Sequence, residues 1–171
     1  MTTRVKHPYI IDVEASGFGP DSYPIEVGVA MEEGKRYCSL IHPERSWTHW
    51  CDDAERYHQI PRSSLLLHGK QAVIVAETLN LLLEGQTVYS DGWVVDKPWL
   101  IKLFNKARVP MEFTVSPLEM ILREPQMEIW HEVKDQIERE LMIERHRASN
   151  DALIIQKTYQ RTLEMTEGVS L

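Results

Sequence analysis

Cysteine is scarce in this chain, and the two present, Cys38 and Cys51, fall in no C-x-x-C or Cys/His ligand spacing. That argues against a structural zinc site, and nothing points to a disulfide scaffold. No apolar run approaches the length of a membrane span, and Met1-Thr2-Thr3-Arg4-Val5-Lys6 lacks the apolar stretch of a signal peptide. A soluble, cytoplasmic protein without a membrane partner is the expectation. No repeat, low-complexity tract or Gly/Ser/Pro-rich linker divides the sequence. Its 171 residues, 43% hydrophobic, are therefore expected to form a single domain, 1–171, with a proper core. Positive charge is also in deficit, with 19 Lys and Arg against 26 Asp and Glu and a net charge of −7. This weighs against a protein whose main task is to coat long nucleic acid. It leaves open an enzyme working on a nucleic-acid end, because acids that serve as metal ligands inflate the negative total.

What is present begins with Tyr9-Ile10-Ile11-Asp12-Val13-Glu14-Ala15-Ser16-Gly17. The β-branched bulk around the acids predicts a short buried strand. Side chains alternate faces along a strand, so Asp12 and Glu14 point the same way. Two carboxylates on one face of an apolar strand repel each other and lose hydration. Either the pair lies solvated on an exposed edge, or a cation sits between the acids. Hard oxygen ligands suit Mg²⁺ or Mn²⁺.

After a turn at 18–22, Ile25 to Ala30 alternates as a second strand, Glu33-Gly34 reads as a hairpin turn, and Arg36 to Ile41 as a third strand. This predicts a three-stranded antiparallel meander. The segment from His42 to Gly69 reads as irregular, with Trp47 and Trp50 as buried loop anchors. Ala72 to Leu83 has helical spacing with Gly85 as its cap, and Thr87 to Ser90 is a short strand. A helix over roughly 97–107, a fifth strand at 113–115, a long helix through Ile129, Val133, Ile137 and Leu141, and a helix over 152–163 complete an α/β domain with a mixed sheet.

His146 and Asp151 lie five residues apart, which on a continuous helix would be a turn of ~500° and would separate their faces. The spacing fits a histidine on a loop and an acid on the early turns of the following helix. A histidine beside a fixed acid suits a metal site with a general base. Between the two motifs, Ser90-Asp91-Gly92 runs into Asp96-Lys97-Pro98-Trp99-Leu100. Either Asp91 or Asp96 can complete the site, and each has a competing local role, Asp91 in the Asp-Gly turn and Asp96 near a helix start.

Taken together, these motifs resemble the DEDDh class of 3′→5′ exonucleases. The resemblance lies in Ile11 to Gly17, Ile25-Glu26-Val27-Gly28, Tyr57-His58-Gln59-Ile60-Pro61, Ser90 to Leu100, and His146-Arg147-Ala148 with Asp151-Ala152. Their order and spacing match along nearly the whole chain. The resemblance implies an RNase H-like fold, a five-stranded mixed sheet opened by the meander and flanked by helices. It implies two Mg²⁺ or Mn²⁺ ions held by Asp12, Glu14, Asp96 and Asp151, with His146 as general base. Asp96 is preferred to Asp91 because it lies a few residues before a large apolar helix residue, Trp99 or Leu100. The substrate would be the 3′ end of single-stranded DNA or RNA, and the product a nucleoside 5′-monophosphate. Ala15, Ser16 and Gly17 would lay backbone against the terminal nucleotide, Phe18 would stack or wedge against a base, and His58, Ile60 and Trp99 would join Tyr57 around it. Some relatives are dimers, but no exposed heptad or apolar face here demands a homodimer. Ser90-Asp91 departs from the frequent His-Asn pair, and Gln59 departs from His-Gly-Ile.

Lys97, Lys102, Lys106 and Arg108 form a tract without acids that either meets phosphates or is a solvated helix face. His131 lies among the apolar positions of the long helix and is incidental. Two other functions compete with the nuclease: a binding module for nucleic-acid ends without turnover, and a small-molecule phosphodiesterase using the same metals.

Overall fold

The computed structural model describes residues 4–168; Met1, Thr2 and Thr3, part of the segment read for a signal peptide, lie outside them. Five strands form one sheet: β1 (Tyr9–Ala15), β2 (Pro24–Ala30), β3 (Arg36–Leu40), β4 (Thr87–Ser90) and β5 (Thr114–Pro117). Their order is β3-β2-β1-β4-β5, with β1 antiparallel to β2, β2 antiparallel to β3, and β4 and β5 joining in parallel. This is the expected meander extended by two parallel strands, and the fold is RNase H-like. Among the described residues six α-helices accompany it: α1 (Asp52–His58), α2 (Arg62–His68), α3 (Ala72–Leu83), α4 (Trp93–Ala107), α5 (Glu124–Leu141) and α6 (Ala148–Met165).

The alternation along β1 sorts the two sides of the sheet. Ile11 and Val13 pack with Val27 and Val29 against Val75, Leu79, Leu100 and Leu103, so α3 and α4 cover one face. Ile10 packs with Ala30 against Ala152, Ile155 and Tyr159, so α6 covers the other. Asp12 and Glu14 share the parity of Ile10 and therefore lie on the α6 side. Among the described residues no helix is long and apolar enough to cross a membrane.

Several boundaries differ from those expected. The stretch from His42 to Gly69 holds two helices, α1 and α2, of seven residues each. Each is too short for apolar periodicity to declare itself, and neither has a side-chain N-cap. The hairpin expected at Glu33-Gly34 joins β2 to β3 through a short 3₁₀ turn over Glu32–Gly34, with Glu33 at φ 55° and Gly34 at φ 74°. α4 starts at Trp93 rather than near Lys97 and contains Pro98. The proline removes one bond to the carbonyl of Val94, a residue on the solvent side of the helix. α6 likewise begins at Ala148, a turn earlier than the apolar spacing indicated.

Candidate active site

β1 supplies Asp12 and Glu14, the start of α4 supplies Asp96, and the first turn of α6 supplies Asp151. Oxygen atoms of Asp12, Glu14 and Asp151 all lie within 4.8 Å of one another, and so do those of Asp12, Asp91 and Asp96. Two groups of three carboxylates therefore share Asp12. Asp96 faces Asp12 as expected, and Asp91 joins it rather than replacing it.

Hydrogen bonds hold Asp96 and Asp151 in place. Asp96 Oδ2 accepts a hydrogen bond from Ser90 Oγ (2.6 Å), whose oxygen in turn accepts from the Gly92 N–H (3.1 Å). Asp151 Oδ1 accepts from the His146 N–H and from Arg145 Nε, both 3.1 Å, and Arg145 also pairs with Glu138. Asp12 Oδ2 is buried with no hydrogen-bond partner. A buried carboxylate oxygen left bare costs on the order of 1–3 kcal/mol. Hard-oxygen donors in this number, with one of them orphaned, fit a divalent cation such as Mg²⁺ or Mn²⁺.

The electrostatics agree. Burial first, then Asp96, Glu14, Asp151 and Asp91, push Asp12 well above the usual carboxylate range. Glu14 is pushed up to about 8 by burial and by Asp151, Glu26 and Asp96, against a pull from Arg147. Asp96 is pushed up to about 7 by burial and Asp91, although Ser90 and the Val13 N–H favour its ionised form. Asp91 is open to solvent along one side, but the protein packed round its other side raises it, and Lys134 draws it back.

A cleft of about 750 Å³ opens beside Glu14, lined among others by Gly17, Phe18, Tyr57, His58, Trp99 and His146. Phe18 is 75% exposed at the edge of this cleft. His146 lies on the loop before α6 with φ 59°, its ring edge-on to Tyr57 at 5.7 Å between centroids. His58 is 2% exposed and meets the Trp50 ring edge-on. Its Nδ1 accepts the Ile60 N–H at 3.0 Å, so the neutral ring carries its proton on Nε2. That buried Nε2–H has no partner in the chain.

Other expected residues are placed elsewhere. Ser16 is buried, its Oγ bonded to His49 and accepting the Tyr23 N–H, so it offers the cleft no side chain. Ala15 and Gly17 line the cleft, whereas Ile60 belongs to the core below it. Lys102 donates to the carbonyls of Pro20 and Ser22, Lys106 to Ser46, and Lys97 lies over the Trp93 ring. The basic tract thus ties loops to α4 instead of presenting a row of free charges. Trp47 is a buried loop anchor stacked on Tyr23, and Trp50 bonds Glu55; His131 is solvent-exposed.

Glu26 is the residue whose role the sequence hid. It is fully buried opposite Glu14, accepts two bonds from Arg147 Nε and one from Nη2, and accepts the Ala148 N–H at 2.7 Å. Gly28, opposite Asp12, lies so close to the backbone of Ala148 and Ser149 that a Cβ would collide with it. Glu26 and Gly28 together seat the start of α6, and with it His146 and Asp151, over the strand acids. The available signal was a glutamate inside the run Ile25-Glu26-Val27-Gly28-Val29, where burial demands a partner.

Comparison with known proteins gives fold-level relatives only. No protein-family model and no curated protein matches the chain. Among solved structures it is similar to the zinc-bound form of E. coli exonuclease I with single-stranded DNA, at TM-score 0.70 and 10% identity over 94% of this chain and 41% of that one. It is similar to E. coli exonuclease I with a dT13 oligonucleotide, at TM-score 0.70, 10% identity and coverage of 93% and 41%. A moderately thermophilic exonuclease I from Methylocaldum szegediense gives 0.68, 10%, 94% and 41%. The chain spans about two fifths of the length of the exonuclease I chains it matches. The likeness shows the fold alone.

Proposed function

We propose that this chain is a metal-dependent 3′→5′ exonuclease domain that removes nucleoside 5′-monophosphates from single-stranded ends. One observation carries the reading: two three-carboxylate groups share Asp12, whose buried Oδ2 is bare, at the edge of a cleft that holds His146. Solved relatives that bind single-stranded DNA support it.

Asp12, Glu14, Asp96 and Asp151 would hold Mg²⁺ or Mn²⁺. The ions would supply charge neutralisation at the scissile phosphate and acidify the attacking water. His146 accepts that water's proton, its ring steadied by the edge of Tyr57 and its backbone by Asp151. Phe18 and Trp99 offer faces to the terminal base, and the His58 Nε2–H offers a donor to an acceptor on the base or sugar. Backbone at Ala15 and Gly17 closes the floor beneath the nucleotide.

The test is incubation of the purified chain with 5′-labelled single-stranded DNA and RNA in Mg²⁺ or Mn²⁺. A ladder shortening from the 3′ end, abolished by EDTA, is expected. Retention of the strand without cleavage in either metal would sink the proposal in favour of a binding module.

A further inference from the structure

The loop that carries His146 is held by residues to which the proposed chemistry gives no part. It leaves α5 at Met142 and enters α6 at Ala148. Met142 (φ 50°) and His146 (φ 59°) are both left-handed residues with side chains. That conformation is unfavourable outside glycine and persists where surrounding contacts impose it. The side chain of Met142 does not impose it, because the residue is exposed. The contacts that do so converge on Glu138, near the end of α5. Its carbonyl accepts the Met142 N–H at 3.2 Å, and its carboxylate pairs with Arg145 in the loop. Arg145 then reaches across to α6, where its Nε donates to Asp151 Oδ1 at 3.1 Å. The same oxygen accepts the His146 N–H.

We infer that Glu138 and Arg145 form a latch in which Arg145 is a positioning residue, holding Asp151 and the His146 loop against the acids of β1. The inference rests on the two-metal reading above and adds to it a control exerted by α5, a helix that supplies none of the proposed ligands. A guanidinium suits the task because its planar fork donates in fixed directions to two carboxylates at once, here on different helices, whereas an ammonium is a point charge. Both bonds to Asp151 end on Oδ1, which leaves Oδ2 for an ion.

The competing role for Arg145 is to offset the negative charge of the crowded acids. Three observations weigh against it. Lys134, one turn before Glu138 on α5, lines the same small cavity as Arg145, Asp12 and Asp151, and among the described residues it pairs with no acid, so a loose cation is already there. Arg145 spends much of its charge on Glu138, which is no metal ligand. Its side chain is 36% exposed, so water and salt screen its field at the acids. A direct bond to a ligand oxygen is not weakened in that way, and loss of such a partner commonly costs about 10–100-fold in metal affinity or activity.

Calorimetry of Mn²⁺ binding to the full chain without nucleic acid tests this, alongside turnover of a 5′-labelled single strand. Arg145→Met should weaken one of two ions by about tenfold and leave the other unchanged. With saturating Mn²⁺ it should still lower kcat by about tenfold or more, with KM for the strand near the parent's. Arg145→Lys keeps the charge without the fork and should stay near the Arg145→Met values. Glu138→Gln should shift both readings the same way by a smaller factor, and adding it to Arg145→Met should cost nothing further. All variants should melt within a few degrees of the parent in EDTA, because the altered side chains are partly exposed. Unchanged or tighter Mn²⁺ binding in Arg145→Met, full recovery in Arg145→Lys, or additive losses in the double variant would overturn the latch. A parent that takes up no Mn²⁺ and cuts no strand would instead overturn the two-metal reading beneath it.

Discussion

On β1 the acids Asp12 and Glu14 are aimed by the pleat alone, whereas His146 and Asp151 are aimed by a left-handed residue, two arginines and a buried glutamate. The strand half is rigid because its backbone is locked into the sheet beside β2. The loop half depends on bonds between residues far apart in the chain, above all Glu26 to Arg147 and Ala148. If, as proposed, the strand half collects charge and the loop half handles a proton, the two should fail in different ways when damaged.

The largest effect should come from the shared acid. Asp12→Asn removes the residue common to both carboxylate groups, and turnover should fall by on the order of 10³-fold or more. Mn²⁺ uptake should fall with it. A variant that loses activity while binding both ions normally would show that Asp12 acts other than as a ligand. His146→Ala should instead reduce turnover by about 10²–10⁴-fold while Mn²⁺ affinity stays near that of the parent. Equal loss of both would place the imidazole in the metal site and dissolve the division between the halves.

Glu26→Gln tests what holds the halves in register. It removes a charge-assisted pair at a fully buried position, and the stability cost should be about 2 kcal/mol, seen in urea unfolding. If Glu26 only supported the fold, turnover of the folded fraction would be unchanged. Because it seats the start of α6, turnover should drop by on the order of 10–100-fold, with strand-borne metal binding retained.

The same contrast decides what could be read from the sequence. Period-two alternation was enough to put Asp12 and Glu14 on one face, because a strand's geometry is local. The loop position of His146 followed from a spacing that no helix could satisfy. Glu26 was visible as a residue but not as a brace. Alternation along its strand does not say what covers each face, and in the folded chain α6 covers the face that carries Glu26. α1 and α2 stayed hidden because seven residues give less than two full turns of apolar repeat. The sequence offers both Asp91 and Asp96 as the third acid, because either suffices in a list of ligands; distance shows that both lie beside Asp12.

The smallest effect separates the halves by pH. In the metal-free chain Glu14 is raised to about 8 and Asp96 to about 7, and burial and its acidic neighbours also raise Asp12. Unfolded carboxyls titrate near about 4. Between those values the folded chain keeps protons that the unfolded chain has lost, so this contribution to stability is full below about pH 4 and is lost as pH rises through about 7 and 8. In EDTA the melting temperature should therefore decline by a few degrees from about pH 5.5 to about pH 8.5. Added Mn²⁺ binds the ionised acids, so the stabilisation it confers should grow across the same window. Asp12→Asn should flatten the decline in EDTA, since it removes the carboxylate that the others crowd. A slope unchanged in that variant would locate the pH dependence outside the strand acids and remove the electrostatic difference between the two halves.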